Sequence, residues 1–345
     1  RWLIQVSNVP EAIRITDLAK PELDETQRAI LAFGQTLDVQ LDADNILDEA
    51  KKSVSLDDFG PEDFRQRLDL LCDEWGKDEG LNNLGRMSLR NKLVLFARNR
   101  LLIQDLLKRH PEIHDVEIRA PIIVAGLPRS GTTHLLNLMA ADTRLRALPL
   151  WESYEPVPMP GEAMLPDGTD PRYQRCADAW EMMQQTVPKL AAMHPMNPDH
   201  IHEELELMGP DFASYNFEWL CQCPRWRDHY YASDQTPHYE YMKTVLKILT
   251  WQDGDDGSST RWVLKCPQHL EQLRVLQRVF PDATVAVTHR DPVAVIQSAA
   301  TMIAYGQRMS RHSIDLANII EYWSDRVLHL LECCARDRWS LAEDQ

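Results

Sequence analysis

The sequence predicts an α/β fold: a P-loop-like parallel sheet flanked by helices, with a helical amino-terminal extension. Three observations carry this. The apolar run Ile122-Ile123-Val124-Ala125 leads directly into Gly126-Leu127-Pro128-Arg129-Ser130-Gly131-Thr132-Thr133, which reads as strand, tight glycine turn and helix start. The run Ala283-Thr284-Val285-Ala286-Val287-Thr288-His289 reads as a second strand, closed by Arg290-Asp291-Pro292, with Pro292 suited to the first turn of the next helix. Trp262-Val263-Leu264-Lys265 is a third strand-like run. Strands separated by helix-length segments are the pattern of a parallel sheet.

In chain order, residues 1–117 are expected to be a helical region and 118–345 the α/β domain. After Gly60-Pro61, the residues Phe64, Leu68, Leu71, Cys72 and Trp75 repeat at helical spacing. From Ser88 to Lys108, Leu89, Leu93, Phe96, Leu101, Leu102, Ile103, Leu106 and Leu107 predict a long helix ended by His110-Pro111. All of these read as core packing. The prolines from Pro149 through Pro156, Pro158, Pro160, Pro166 to Pro171 exclude regular helix or central strand and predict a long connection, the kind that serves as a binding loop or lid. Gly254 to Ser259 reads as an exposed turn, Gln268 to Phe280 as a helix, and Ser313 to about Arg338 as a final amphipathic helix.

The bulk numbers narrow the function classes. With 44% hydrophobic and 26% charged residues the chain is globular, and no apolar run reaches the ~18 residues a membrane span requires. A net charge of −16 opposes nucleic acid and anionic membrane surfaces, so an anionic ligand must be held by local cations. The seven cysteines are scattered without paired C-x-x-C spacing, which predicts neither a disulfide framework nor a zinc site, and fits reduced thiols in the cytoplasm. The chain opens Arg1-Trp2-Leu3-Ile4 without an initiator methionine, so a start further upstream is expected.

The glycine loop is where chemistry enters. The first N–H groups of a helix have no partner within it, and the helix dipole adds positive charge at that end, so the Gly131-to-Thr133 turn is an anion cradle. The nucleotide-triphosphate loop G-x-x-x-x-G-K-[ST] would place lysine where this chain has Thr132; here the cation is Arg129, three residues earlier. A P-loop kinase or other phosphoryl-transfer enzyme would also need a strand ending in a magnesium-binding aspartate, and Asp291, in the turn after Arg290, is a poor substitute. That reading stands as the alternative, together with a binding module that keeps the fold without turnover.

The P-[KR]-S-G-[ST]-T form of the loop resembles the 5′-phosphosulfate loop of sulfotransferases that use 3′-phosphoadenosine 5′-phosphosulfate (PAPS). In that superfamily a later strand ends in an arginine followed eight residues on by a serine, and Arg290 and Ser298 stand eight positions apart. Lys265-Cys266-Pro267-Gln268-His269-Leu270 resembles the L-K-x-P-x-H-L signature of the bacterial, actinobacterial-like members. The resemblance covers roughly residues 118 to 335, and the helical lead-in is similar too. It implies a transferase that takes PAPS as donor and releases PAP. The 5′-phosphate would be held by Arg129, Ser130, Gly131, Thr132 and Thr133, with glycine at 131 so that the backbone can approach the anion. Arg290 and Ser298 would bind the 3′-phosphate, and Arg129 with Lys265 would neutralise the leaving group. No metal is expected.

The acceptor implied is a hydroxyl on a small-molecule or lipid-like body, for which Trp180 to Met183 and Phe212 to Trp226 suggest an apolar wall. The general base is open. The cytosolic members carry a histidine two residues after the lysine, where this chain has Pro267. In the tyrosylprotein branch the base is a glutamate past the loop arginine, and Glu152 lies 23 residues past Arg129. Glu152 leads; His194 and the Ile201-His202-Glu203-Glu204 cluster follow, while His269 reads as local packing. The C-terminal R-K-G clamp of cytosolic members has no counterpart here.

Overall fold

In the computed structural model of the protein, residues 13–341 are described; the first twelve residues of the expected helical region and the last four of the chain lie outside them. Residues 13–24 contain no helix, and the helical region begins at α1 (Glu25–Gly34), followed by α2 (Ala43–Val54), α3 (Phe64–Gly76) and α4 (Asn83–Arg109). The stripe predicted for α3 is buried in full, and α4 starts about a turn earlier than its apolar pattern because Asn82 caps it, accepting the Gly85 N–H at 2.9 Å.

Among the described residues four strands make one sheet: β1 (Ile122–Gly126), β2 (Leu145–Arg146), β3 (Arg261–Lys265) and β4 (Thr284–Thr288). Their spatial order is β2-β3-β1-β4, every pair parallel, with Val124 opposite Lys265 on one side and Gly126 opposite Thr288 on the other. The central strands β1 and β3 are buried over four of their five residues, as continuous apolar runs should be, whereas β4 lies at the edge and leaves Val287 half exposed. The chain leaves β3, crosses over β1 and enters β4, so the carboxyl ends of β1, β3 and β4 open on one crevice, the place where doubly wound sheets hold ligands.

Helix α5 (Thr132–Ala140) follows the glycine loop; α6 (Leu150–Tyr154), α7 (Pro171–Thr186) and α8 (Leu190–Met193) follow β2. The proline-rich connection is therefore interrupted by one short helix, α6, placed between Pro149 and the first following proline. Next come α9 (Leu205–Met208), α10 (Asn216–Leu220), α11 (Pro224–Ala232) and the long α12 (Thr236–Gln252).

The helix expected over Gln268 to Phe280 is split into a 3₁₀ turn, Pro267–Glu271, and α13 (Leu273–Val279). The turn's side chains are committed to separate buried partners: Gln268 accepts the Tyr215 N–H at 2.9 Å, His269 pairs with Glu204, and Glu271 pairs with Arg326 at 2.6 Å. Helix α14 (Pro292–Gly306) opens with Asp291 accepting the Val293 N–H at 3.0 Å, and α15 (Leu316–Asp337) closes the described chain close to the predicted limits.

One apolar cluster joins α2, α3 and α4 to β3, α12 and α13, with Phe212, Phe217 and Trp226 at its centre. A second packs Ala125 and Leu127 against α14 and α15. Helices thus cover both faces of the sheet.

Candidate active site

The loop leaving β1 contains two residues in the left-handed region, Arg129 (φ 62°) and Gly131 (φ 90°). The second explains the glycine. A Cβ at 131 would meet no protein atom within 4 Å, so its requirement is conformational. At Gly126 the requirement is steric, because a Cβ would overlap Thr288 Oγ1 on the neighbouring strand. That close approach lets Ser130 and Thr288 share a hydroxyl hydrogen bond of 2.8 Å.

Ser130 donates its hydroxyl to the Leu127 carbonyl at 2.6 Å, and its N–H reaches the same carbonyl at 3.3 Å. Ser130 therefore holds the loop's shape, and the donors left open are the N–H groups of Gly131, Thr132 and Thr133, which have no carbonyl partner among the described residues.

Three distant segments meet at Arg129. Its Nε donates to Ser298 Oγ at 3.1 Å, a guanidinium nitrogen donates to the Met193 carbonyl at 2.8 Å, and its own carbonyl accepts from Arg290 at 2.6 Å. Burial and the neighbouring Arg290 hold its pKa below the usual arginine value, with Glu203 acting in the opposite sense. Lys265, 1% exposed at the end of β3, donates from Nζ to Thr133 Oγ1 at 3.1 Å and pairs with Glu203. Its backbone N–H donates to Glu204 at 2.9 Å. Glu204 also holds His269, whose other ring nitrogen meets Tyr239 at 2.9 Å, so His269 and Glu204 are a buried brace under the lysine.

The fold thus gathers Arg129, Gly131, Thr132, Thr133, Lys265, Arg290 and Ser298. Glu152 is placed elsewhere. It pairs with Arg146 at 2.6 Å, Arg146 in turn bonds Asp253 at 3.0 Å, and the guanidinium lies over Trp262, three residues or about 10 Å back from Lys265 along β3. Burial pushes the Glu152 carboxyl up, against the pull of Arg146. The acidic group that does reach the site is Glu203.

His194 follows Met193, the residue that anchors Arg129, and stands in a cluster with His200 and His202. Burial and the adjacent Lys265 bring His194 down to about 4; His200 falls to about 4 for burial, His194 and Lys265; His202, fully enclosed, is lowered as well. All three are neutral imidazoles at neutral pH. Sequence spacing gave no metal ligand set, yet the fold brings these three side chains within reach of one another. His200 and Thr288 were not among the expected site residues. The signal was present in the H-x-H of His200-Ile201-His202, but nothing in sequence ties it to His194.

The expected apolar acceptor wall is revised: Phe212, Phe217 and Trp226 are main-core residues. Met182 is 56% exposed on α7, and Met183 packs near Tyr305. Among the described residues no helix is long and apolar enough to cross a membrane.

Comparison with known proteins agrees with this geometry. The model of the sulfotransferase family matches residues 121–345. Sulfotransferase STF1 from Mycobacterium tuberculosis is 29% identical over 90% of this chain and 82% of its own, with a TM-score of 0.76. Sulfotransferase STF9 from Mycobacterium avium, 23% identical over 89% of this chain and 78% of its own, shares the fold with a TM-score of 0.76. No curated protein matches. The matched span contains the glycine loop, Lys265, Arg290 and Ser298, and the chain is a member of the sulfotransferase family.

Proposed function

We propose that the protein transfers a sulfuryl group from PAPS to a hydroxyl of a small-molecule or lipid-like acceptor in the cytoplasm. The observation that carries this is the convergence at Arg129. One side chain and its carbonyl link the phosphate loop to Arg290 and Ser298, residues more than 160 positions later, so two anion-binding groups share one crevice. The fit to the donor rests on two donor groups: three open loop N–H groups at a helix start for one phosphate, and Arg290 with Ser298, both tied to Arg129, for a second. A single phosphate would not call for both.

When bound, PAPS supplies an activated sulfuryl group. The transfer is expected to be loose and in-line, so the protein's part is positioning and charge stabilisation. Arg129 and Lys265 neutralise charge growing on the leaving oxygen, and Thr133 orients Lys265. We assign the general base to Glu203, whose carboxylate faces the site through Lys265, in place of Glu152, which is held by Arg146. It would take the acceptor's hydroxyl proton as the acceptor oxygen bonds to sulfur and the bond from sulfur to the 5′-phosphate oxygen breaks, releasing PAP.

Calorimetric titration tests the donor. Adenosine 3′,5′-bisphosphate should bind without magnesium, and Arg290→Ala should weaken it about tenfold or more, the loss of one charge-assisted contact. Magnesium-dependent ADP binding with no response to the 3′,5′ compound would replace this reading with a phosphoryl-transfer enzyme.

A further inference from the structure

We propose that His194, His200 and His202 form a binding site for one transition-metal dication of the zinc type. The ring centroids stand 5.4, 5.7 and 5.9 Å apart with interplanar angles of 61° to 73°, a three-bladed arrangement about a common centre. Ligand-capable atoms of all three lie within 4.8 Å of one another. Zinc–nitrogen bonds of about 2.0–2.1 Å at tetrahedral angles would put the ligating nitrogens roughly 3.3 Å and the imidazole centroids roughly 5.2 Å apart, so ligation asks the rings to turn and close by up to about 1.5 Å at the nitrogens.

The backbone around the cluster is fixed by other elements. The His202 N–H donates to the Leu148 carbonyl at 2.7 Å, the His200 carbonyl accepts the Leu150 N–H at 2.9 Å, and the carbonyl preceding His194 holds Arg129 at 2.8 Å. His194 Nδ1 lies 3.2 Å from the Pro195 carbonyl, which selects the tautomer with Nε2 free to ligate; ligating histidines commonly carry such an outer partner.

A second observation points to a ligand independently. His202 is only 5% exposed, and its Nδ1 is buried with no hydrogen-bond partner. A buried ring nitrogen left unpaired is costly, and a bound ion or water removes that cost. A carboxylate does not fill the role, because Glu203 is turned to Lys265 and no carboxylate pairs with any of the three rings among the described residues.

The surroundings select the ion. Lys265 and Arg129 lie near the cluster and oppose added positive charge, with Glu203 compensating in part. A hard oxygen-seeking cation such as Mg²⁺ finds no oxygen set here. An ion that bonds imidazole strongly is favoured, with three protein ligands and a fourth position open.

The test is titration of the purified protein, stripped of metal, with Co²⁺, read by the visible d–d absorption of tetrahedral cobalt. One equivalent should produce the band, Zn²⁺ should abolish it, and Mg²⁺ should leave it unchanged. His200→Ala and His194→Ala, each checked for native melting, remove a ligand outright and should lose more affinity than the roughly 10–100-fold that disturbing an outer partner of a ligand costs. His312→Ala, at an exposed position far along the chain, should retain it. No band, or an undiminished band in both variants, overturns the proposal. The readout is spectroscopic and does not depend on sulfuryl transfer, so it fails or stands separately from the donor titration.

Discussion

Arg129 and Glu203 show how much a single residue's placement decides. Arg129 occupies a left-handed backbone position that costs a non-glycine residue on the order of 1–3 kcal/mol, and such strain is tolerated where surrounding contacts fix it. Those contacts are the same ones that assemble the crevice. Its motif position was legible because it follows a strand and sits between glycines. The partner of Lys265 was not legible, because the sequence offers several carboxylates and histidines between residues 150 and 205, and only folding decides which one meets it. Glu203→Gln should therefore lower kcat about 10²–10⁴-fold while adenosine 3′,5′-bisphosphate still binds, as expected for loss of a general base, and should lower the melting temperature because buried Lys265 loses its carboxylate partner. Glu152→Gln should leave kcat near wild type and lower the melting temperature, since Arg146 loses its buried partner. Steady-state kinetics on the two variants would reverse the assignment if Glu152→Gln were the inactive one.

At the scale of elements, the β1–α5 connection and helix α15 illustrate two kinds of constraint. Gly131→Ala adds a methyl group to open space but forces an L-residue to φ 90°, so it should cost about 1–2 kcal/mol in a denaturant titration. A stability equal to wild type would mean the loop relaxes to another conformation.

Helix α15 carries fully buried Arg326, which bonds Glu218 at 2.8 Å and Glu271 at 2.6 Å and so ties the helix to α10 and to the turn before α13. His329, one turn on, extends the network: Glu271 lies 3.2 Å from its ring, which stacks on Tyr231 at 3.8 Å. Burial acts to lower His329, but hydrogen bonds to Cys333 and Glu271 outweigh it and raise the group to about 9 from 6.5. Between these values the folded chain keeps a proton that the unfolded chain has released. The contribution of His329 is therefore complete below about pH 6.5 and disappears as pH rises through 9. Unfolding free energies across that window should decline with pH, and His329→Gln should flatten the slope; an unchanged slope would assign the decline to other groups.

For the whole molecule, the decisive feature is that the core does not respect the sequence boundary near residue 117. Leu68, Trp75 and Phe96 share one buried cluster with Trp262, Leu264 and Leu276, and buried Asp211 is held by Arg67 from α3 at 3.0 Å and by Arg100 from α4 at 2.9 Å. Removing the helical region would expose the apolar face of the sheet domain and strip Asp211 of both arginines, leaving it His238 alone. Scanning calorimetry of the full chain should show one cooperative transition, and two resolved transitions would mean that the two regions fold independently.

What the sequence by itself determined was local: the strand–loop–helix order at 122–140, the arginine displaced from the lysine position, the Arg290–Ser298 spacing, and the periodic stripes of α3, α4 and α15. These depend on residue type at short separations, where period, glycine and proline speak directly. What only the tertiary structure decided was which distant groups meet. Pairing β1 with both β3 and β4 places Lys265 and Arg290 on either side of Arg129, turns Glu152 toward Arg146 and Glu203 toward Lys265, and collects three histidines across six to eight residues of irregular chain. Irregular backbone has no period for a sequence to display, and its course is set by the long-range hydrogen bonds and burial that form only when the sheet and its helices close together.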